Sequence, residues 1–276
     1  MSAGAVEAVR PVAIGEIAHA AVLRSGGAGR VLARLSASTY LTVGGEIVWL
    51  GAAGSVLHPR AILGGPPSVA GEIVRFDVGA LAPWVPPALA LDRATAARLA
   101  VEWRRLAAGA AALGAPRGFG ALLVGAALVF PLDGARDTAA ALARACARDD
   151  ADAAADAAHA LLGLGGGLTP SGDDFAGAAF FARRLLGTAG CADAAAWRRA
   201  GDALRTAATT RTHPISAALL GDLVAGRGWA PLHELVAALA AGTMGPAEAA
   251  ARRLVRLGHT SGWDLLAGLG AGLGLN

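Results

Sequence analysis

Two periodicities divide the chain. Near the N-terminus apolar and polar positions alternate in short runs: Arg30 to Ser38 predicts one strand, and Tyr40 to Val43 and Glu46 to Leu50 predict two more joined through Gly44-Gly45. A Gly-Gly pair between β-branched and aromatic runs signals a type I′ or II′ hairpin, whose central residues need positive φ. Ile73 to Val78 predicts a further strand, between Gly- and Pro-dense stretches at 63–71 and 82–87. Beyond a boundary placed near residue 92 the period becomes helical. In Ala94 to Leu113, Leu99, Trp103 and Leu106 share a face at spacings of four and three. Asp149, Asp150 and Asp152 then load the start of a helix reaching Leu162, with Gly163 as its stop, which makes this acidic cluster a helix start and not a metal site. Further helices are predicted at 174–186, 192–208, 215–225, 231–241, 246–257 and from 262 onward. The fold class is therefore α+β: a small β-rich N-terminal domain over 1–92, followed by a larger helical domain over 93–276 that carries a glycine-rich ligand-binding loop.

That loop is the most informative part of the chain. Gly163-Leu164-Gly165-Gly166-Gly167-Leu168-Thr169-Pro170-Ser171-Gly172-Asp173-Asp174 is followed 90 residues later by a second Ser-Gly-x-Asp, Ser261-Gly262-Trp263-Asp264. Glycines bring backbone N–H groups close to a ligand, and a helix starting at Thr169 or Ser171 aims its positive end at the same point, which suits an anion. The carboxylates of Asp173 and Asp174 could hold a divalent cation against that anion or act as acid and base. A structural alternative stands beside this: Ser171-x-x-Asp174 and Ser261-x-x-Asp264 both fit the capping box of an ordinary helix start. On that pattern Asp174 is the cap, which leaves Asp173 freer to reach a ligand or metal. Segment 163–174 is expected as an exposed loop and helix start on the floor of the principal pocket. The two Ser-Gly-x-Asp starts are expected to meet in space, which requires no internal repeat.

The string Gly165-Gly166-Gly167-Leu168-Thr169-Pro170-Ser171-Gly172-Asp173-Asp174-Phe175, with Thr212-x-x-Ile215-Ser216-Ala217 and Gly258-His259-Thr260-Ser261-Gly262-Trp263-Asp264-Leu265-Leu266-Ala267-Gly268, resembles the AllH-like family, the third subunit of oxamate carbamoyltransferase and its bacterial relatives. The matching motifs lie between about 160 and 270; Gly166 stands where the family more often has proline, which loosens the loop without removing N–H donors. The resemblance implies a cytoplasmic protein acting with other subunits in purine or allantoin breakdown, and carbamoyl transfer as the reaction. Its substrate would be a small anion, carbamoyl phosphate or an oxalurate-like ureido acid. The ligand-binding candidates are Gly165, Gly166, Gly167, Thr169, Ser171, Gly172, Arg211, Thr212, Ser216, Ser261 and Gly262, and the catalytic candidates are Asp173, Asp174, Asp264 and His259. Two alternatives remain open: a noncatalytic assembly subunit, and a metal-dependent hydrolase of a ureido compound. No cofactor is required by the sequence; Mg²⁺ on Asp173 is the candidate metal.

Composition narrows the chemistry. All 24 basic residues are arginine. Without lysine there is no P-loop, no pyridoxal Schiff base and no kinase ion pair. Arginine, helix N-termini and backbone N–H groups are left for anions. Thr209-Thr210-Arg211-Thr212 resembles in part the Ser-Thr-Arg-Thr phosphate loop of aspartate and ornithine transcarbamylases, but here it lies between predicted helices, so the likeness bears on the use of Arg alone. Arg211 reads equally as a surface cation near a helix C-terminus. A net charge of +3 with scattered arginines argues against nucleic acid, and Phe119 to Leu132, the longest strongly apolar stretch, is too short to span a membrane. A homo-oligomer is compatible with all of this. Cys146 and Cys191 are expected as reduced buried thiols. His213 and His259 adjoin the candidate loops as acid or base, whereas His19, His58, His159 and His233 have no zinc spacing. Ser171 lacks a nucleophile elbow, and Trp263 is expected to pack in the core.

Overall fold

The computed structural model describes residues 8–65, 71–89 and 91–274 and is mixed α+β. It divides into two compact units, Met1–Pro87 and Ala88–Asn276.

Among its described residues the first unit has a six-stranded sheet and one helix. Its elements are β1 (Ala13–Ile14), α1 (Glu16–Arg24), β2 (Ala28–Arg34), β3 (Ser38–Val43), β4 (Glu46–Gly51), β5 (Ala61–Leu63) and β6 (Ile73–Arg75). The order across the sheet is β1-β5-β4-β3-β2-β6. All neighbours are antiparallel except β4 and β5. The predicted hairpin is present, with Val43 opposite Glu46 and both Gly44 (φ 53°) and Gly45 (φ 84°) left-handed, as a type I′ turn requires. Helix α1 buries Ala18, Ala21 and Val22 in a core with Leu41, Val43, Val48, Leu50 and Ile62. The sequence reading did not foresee this helix. It also ran β2 too far, since the chain turns between Arg34 and Ser38. Residues 66–70 of the predicted Gly- and Pro-dense stretch lie outside the described residues.

The second unit is helical. Helix α2 (Arg93–Ala108) opens on a capping box in which the Asp92 carboxylate accepts from Thr95 N–H and the Thr95 hydroxyl accepts from Asp92 N–H; α2 buries Leu99, Trp103 and Leu106 as predicted. Two short 3₁₀ segments follow, Ala110–Leu113 and Gly118–Val124. Then come α3 (Arg136–Ala147), α4 (Ala151–Leu161), α5 (Ser171–Thr188), α6 (Ala194–Arg211), α7 (Pro214–Val224), α8 (Ala230–Ala241), α9 (Met244–Leu254) and α10 (Ser261–Gly272). Asp150 caps α4 and Gly163 (φ 75°) follows its end, so this start and stop fall where the sequence places them.

Helices α5 and α10 form the centre. Each is apolar nearly all round, the pattern of a helix with no solvent face, and α10 is buried from Gly262 to Gly272. They run side by side in the same direction. A Cβ on Gly268 would overlap the Phe175 carbonyl oxygen, and one on Gly272 the Ala179 carbonyl oxygen. Such close backbone approach is open only to glycine. Phe119, from the second 3₁₀ segment, closes this core against Phe175 at a centroid distance of 4.6 Å.

Candidate functional site

The parallel course of α5 and α10 brings the two Ser-Gly-x-Asp segments together. Ser171 Oγ lies 3.1 Å from Thr260 Oγ1, and Thr169 Oγ1 lies 3.2 Å from Ser261 Oγ. Both starts are entered in the same way. The Leu164 carbonyl accepts from Gly172 N–H at 2.8 Å, and the Leu257 carbonyl accepts from Gly262 N–H at 3.0 Å. A Cβ on Gly172 would overlap the carbonyl of Leu161, the last residue of α4; a Cβ on Gly262 would overlap the carbonyl of Leu254, the last residue of α9. The motif glycines therefore serve helix packing. Neither segment is a capping box: Pro170 and Thr260 occupy the N-cap positions, no side chain caps either helix, and Ser171 and Ser261 are already the first helical residues. Their hydroxyls face the neighbouring helix.

The three carboxylates beneath this crossing differ in state. Asp173 is 1% exposed and fully engaged. Its Oδ1 accepts from Gly163 N–H at 2.8 Å, and its Oδ2 accepts from the Ser216 hydroxyl at 2.6 Å and from the Thr212 hydroxyl. It thus ties the glycine segment to the start of α7. This reverses the expected division, in which Asp174 was to cap and Asp173 was to be free. Asp174 and Asp264, at 3% and 0% exposure, each keep one buried oxygen, Oδ2, without a partner. Burial pushes the Asp174 carboxyl well above the usual range, the Asp264 and Asp173 charges add to the effect, and the Ser261 hydroxyl opposes it. Burial likewise pushes Asp264 up to about 7, against the Phe119 N–H, which donates to its Oδ1 at 2.6 Å, and the Ser171 and Thr260 hydroxyls. Both carboxyls are thus shifted toward the protonated form relative to an ordinary aspartate.

The connection between α4 and α5 rises from this buried base to the surface. Gly166 and Gly167 are exposed, while Ser171 to Asp174 are buried, so the segment is not the wholly exposed start that was expected. Gly165 (φ 127°) passes so close to the start of α5 that a Cβ would lie 2.6 Å from Ser171 N. Among the described residues, the N–H groups of Gly165, Gly166 and Gly167 have no backbone acceptor. Three cavities of about 180, 310 and 490 Å³ are lined by other residues, and none includes a residue of 163–174.

Arg211 ends α6 with an exposed side chain, and its carbonyl lies against Gly163. His213 caps α7, its Nδ1 accepting from Ile215 N–H at 3.2 Å. His259 is exposed, and its Nδ1 is 3.0 Å from Nη1 of Arg117. Arg117 was missed by the sequence reading, as was the contribution of Gly118 and Phe119, which press on Asp264. Their only trace in the sequence is the Gly114–Gly120 glycine spacing. Trp263 is core, packed against Gly120. Cys146 is buried, with its thiol pushed up to about 12 by burial, but Cys191 is exposed, contrary to expectation. Among the described residues no group of three His, Cys, Asp or Glu side chains is placed to hold a metal. Among them, too, no helix is long and apolar enough to cross a membrane.

Residues 161–273 match the model of a family described as oxamate carbamoyltransferase subunit AllH. The matched stretch runs from the end of α4 through α10, includes every candidate site residue, and supports the AllH-like assignment read from the motifs. No curated protein and no solved structure matches the chain.

Proposed function

We propose, on the premise that residues 161–273 are AllH-like, that this chain is a subunit of an oxamate carbamoyltransferase-like enzyme of purine or allantoin catabolism, and that the crossed starts of α5 and α10 underlie its binding site for carbamoyl phosphate or a ureido acid. The observation that carries this reading is the crossing itself. Two helices with adjacent N-termini add their positive ends, and the N–H groups of Gly165, Gly166 and Gly167 stand beside them without backbone acceptors. The exposed guanidinium of Arg211 offers a bidentate grip for a carboxylate or phosphate. Beneath, burial shifts Asp174 and Asp264 toward their protonated forms, from which a proton could pass through the Ser171 and Ser261 hydroxyls to a leaving group.

Calorimetry on the purified chain tests the reading. Carbamoyl phosphate or inorganic phosphate should bind, and Gly167→Val, which adds a branched side chain at φ 84°, should abolish binding without unfolding the protein. A second reading, a noncatalytic assembly subunit, is favoured by the structural employment of Asp173, whose oxygens accept from Gly163 N–H and the Ser216 hydroxyl. It is the conclusion if neither anion binds.

A further inference from the structure

The other end of α5 carries a separate cleft. Between the last turns of α5, the first turn of α6 and the end of α7 lies a cavity of about 180 Å³, lined among others by Phe180, Arg184, Thr188, Trp197, Arg198 and Val224. We propose that it is a binding site for a small flat organic anion, a single ring bearing a carboxylate.

The cations at its rim are uncompensated. Neither Arg184 nor Arg198 has an ion-pair or hydrogen-bond partner among the described residues, whereas Arg205, further along α6, pairs with Asp202. The carboxylates close by are already in use. Asp193 caps α6 by accepting from Ala195 and Ala196 N–H, and Asp149 accepts from Trp197 Nε1 at 2.6 Å, from Asp193 N–H at 2.9 Å and from Arg183. The Arg184 stem lies over Gly226, where a Cβ would come within 2.8 Å of its Cδ and Nε. Two guanidiniums from adjoining helices thus line one cleft with no internal anion to answer them, an arrangement suited to bidentate recognition of a carboxylate.

The floor is rigid and aromatic. The Trp197 ring is fixed by its bond to Asp149, by the Arg183 guanidinium 4.8 Å from its centroid, and by the edge of Phe180 at 5.4 Å. Arg183 is 4% exposed, and Asp149 adopts a left-handed φ of 56°, uncommon outside glycine, to meet both partners. Hydrogen bonds and the Arg183 charge hold the Asp149 carboxyl below its usual range, although burial alone would raise it. A fixed indole and a phenyl edge present an apolar wall to a ring while the arginines take its charge.

Calorimetric titration with benzoate, and with benzyl alcohol as its uncharged counterpart, tests the proposal. Benzoate should bind at a single site and benzyl alcohol about tenfold more weakly or worse; Arg184→Ala and Arg198→Ala should each weaken benzoate about tenfold, the scale of one charge-assisted hydrogen bond. Both arginines are exposed, so neither variant endangers the fold. Gly167→Val, at the opposite end of α5, should leave benzoate binding intact, which separates this site from the one proposed for carbamoyl phosphate. No saturable binding of benzoate at millimolar concentration, equal binding of the alcohol, or unchanged affinity in both arginine variants overturns the proposal.

Discussion

Ser171 and Thr260 meet hydroxyl to hydroxyl at 3.1 Å, although 89 residues separate them in the chain. Together with the 3.2 Å contact of Thr169 and Ser261, this bond crosses between two parallel helices at their N-termini. Parallel alignment places two positive helix ends side by side, an unfavourable arrangement unless negative charge or acceptors stand nearby. Here the acceptors are the hydroxyls and the two carboxyls of Asp174 and Asp264 beneath them. Burial shifts those carboxyls toward the protonated form, so less negative charge answers the positive ends from within and capacity for an external anion remains.

Asp173 is expected to matter for stability more than Asp174. Asp173→Ala removes the acceptor for Gly163 N–H and for the Thr212 and Ser216 hydroxyls, three donors that hold the glycine segment against α7. Loss of a buried charged acceptor from such a network costs about 3 kcal/mol or more. Asp174→Asn replaces a carboxyl that burial already shifts toward its neutral form and should cost less than about 1 kcal/mol. Urea denaturation of the two variants at pH 7 measures both. A larger loss in Asp174→Asn would show that the bonds to Asp173 are not what secures the segment.

Glycines of the same motif are expected to tolerate substitution very differently. Gly172→Ala and Gly262→Ala each drive a methyl into a main-chain carbonyl at the end of the preceding helix, which neither backbone can yield easily. Overpacking of this kind costs about 3 kcal/mol or more. Gly166 has nothing within 4 Å of an added Cβ, so Gly166→Ala should change stability by less than about 0.5 kcal/mol. Thermal melts of the three variants decide the matter; equal melting temperatures would refute the packing role of the motif glycines.

Such contrasts mark what the sequence discloses. Leu99, Trp103 and Leu106 show their shared face because three- and four-residue spacing is local, and Gly44-Gly45 discloses its turn because the φ requirement is local. The meeting of the two Ser-Gly-x-Asp starts was legible for a different reason: the same unusual string occurs twice ahead of an apolar helix. The partners of Asp173 were not, because Thr212 and Ser216 lie 39 and 43 residues away and only the tertiary fold selects Asp173 over Asp174 for them. Ser171 and Ser261 look like N-caps by spacing, yet Pro170 and Thr260 take that position and free the serines for the neighbouring helix. Helix α1, at nine residues, and Arg117, in a glycine-rich connection, left no pattern long enough to read.

Stability should depend on pH through Asp264 with a sign opposite to that of an ordinary salt-bridged aspartate. Its carboxyl is pushed up to about 7 in the folded chain from the ordinary aspartate value of 3.8, so between those pH values the native state binds more protons than the unfolded state. Stability must then fall as pH rises through that window, and the stabilisation is fully present only below the unfolded value. The full difference corresponds to roughly 4 kcal/mol at one 1.36 kcal/mol step per pH unit, an upper bound for a group coupled to Asp174. Asp264→Asn keeps an oxygen for the Phe119 N–H and cannot ionise. Urea denaturation of both proteins between pH 4 and pH 8 separates the Asp264 contribution from that of all other carboxylates, including Asp149, which is held below its usual range and acts in the opposite sense. The variant should gain on the wild type as pH rises, steeply up to about pH 7 and little beyond it. A stability difference independent of pH, or one that shrinks toward pH 8, would mean that Asp264 is ionised throughout and that the positive helix ends, rather than burial, govern the carboxyl.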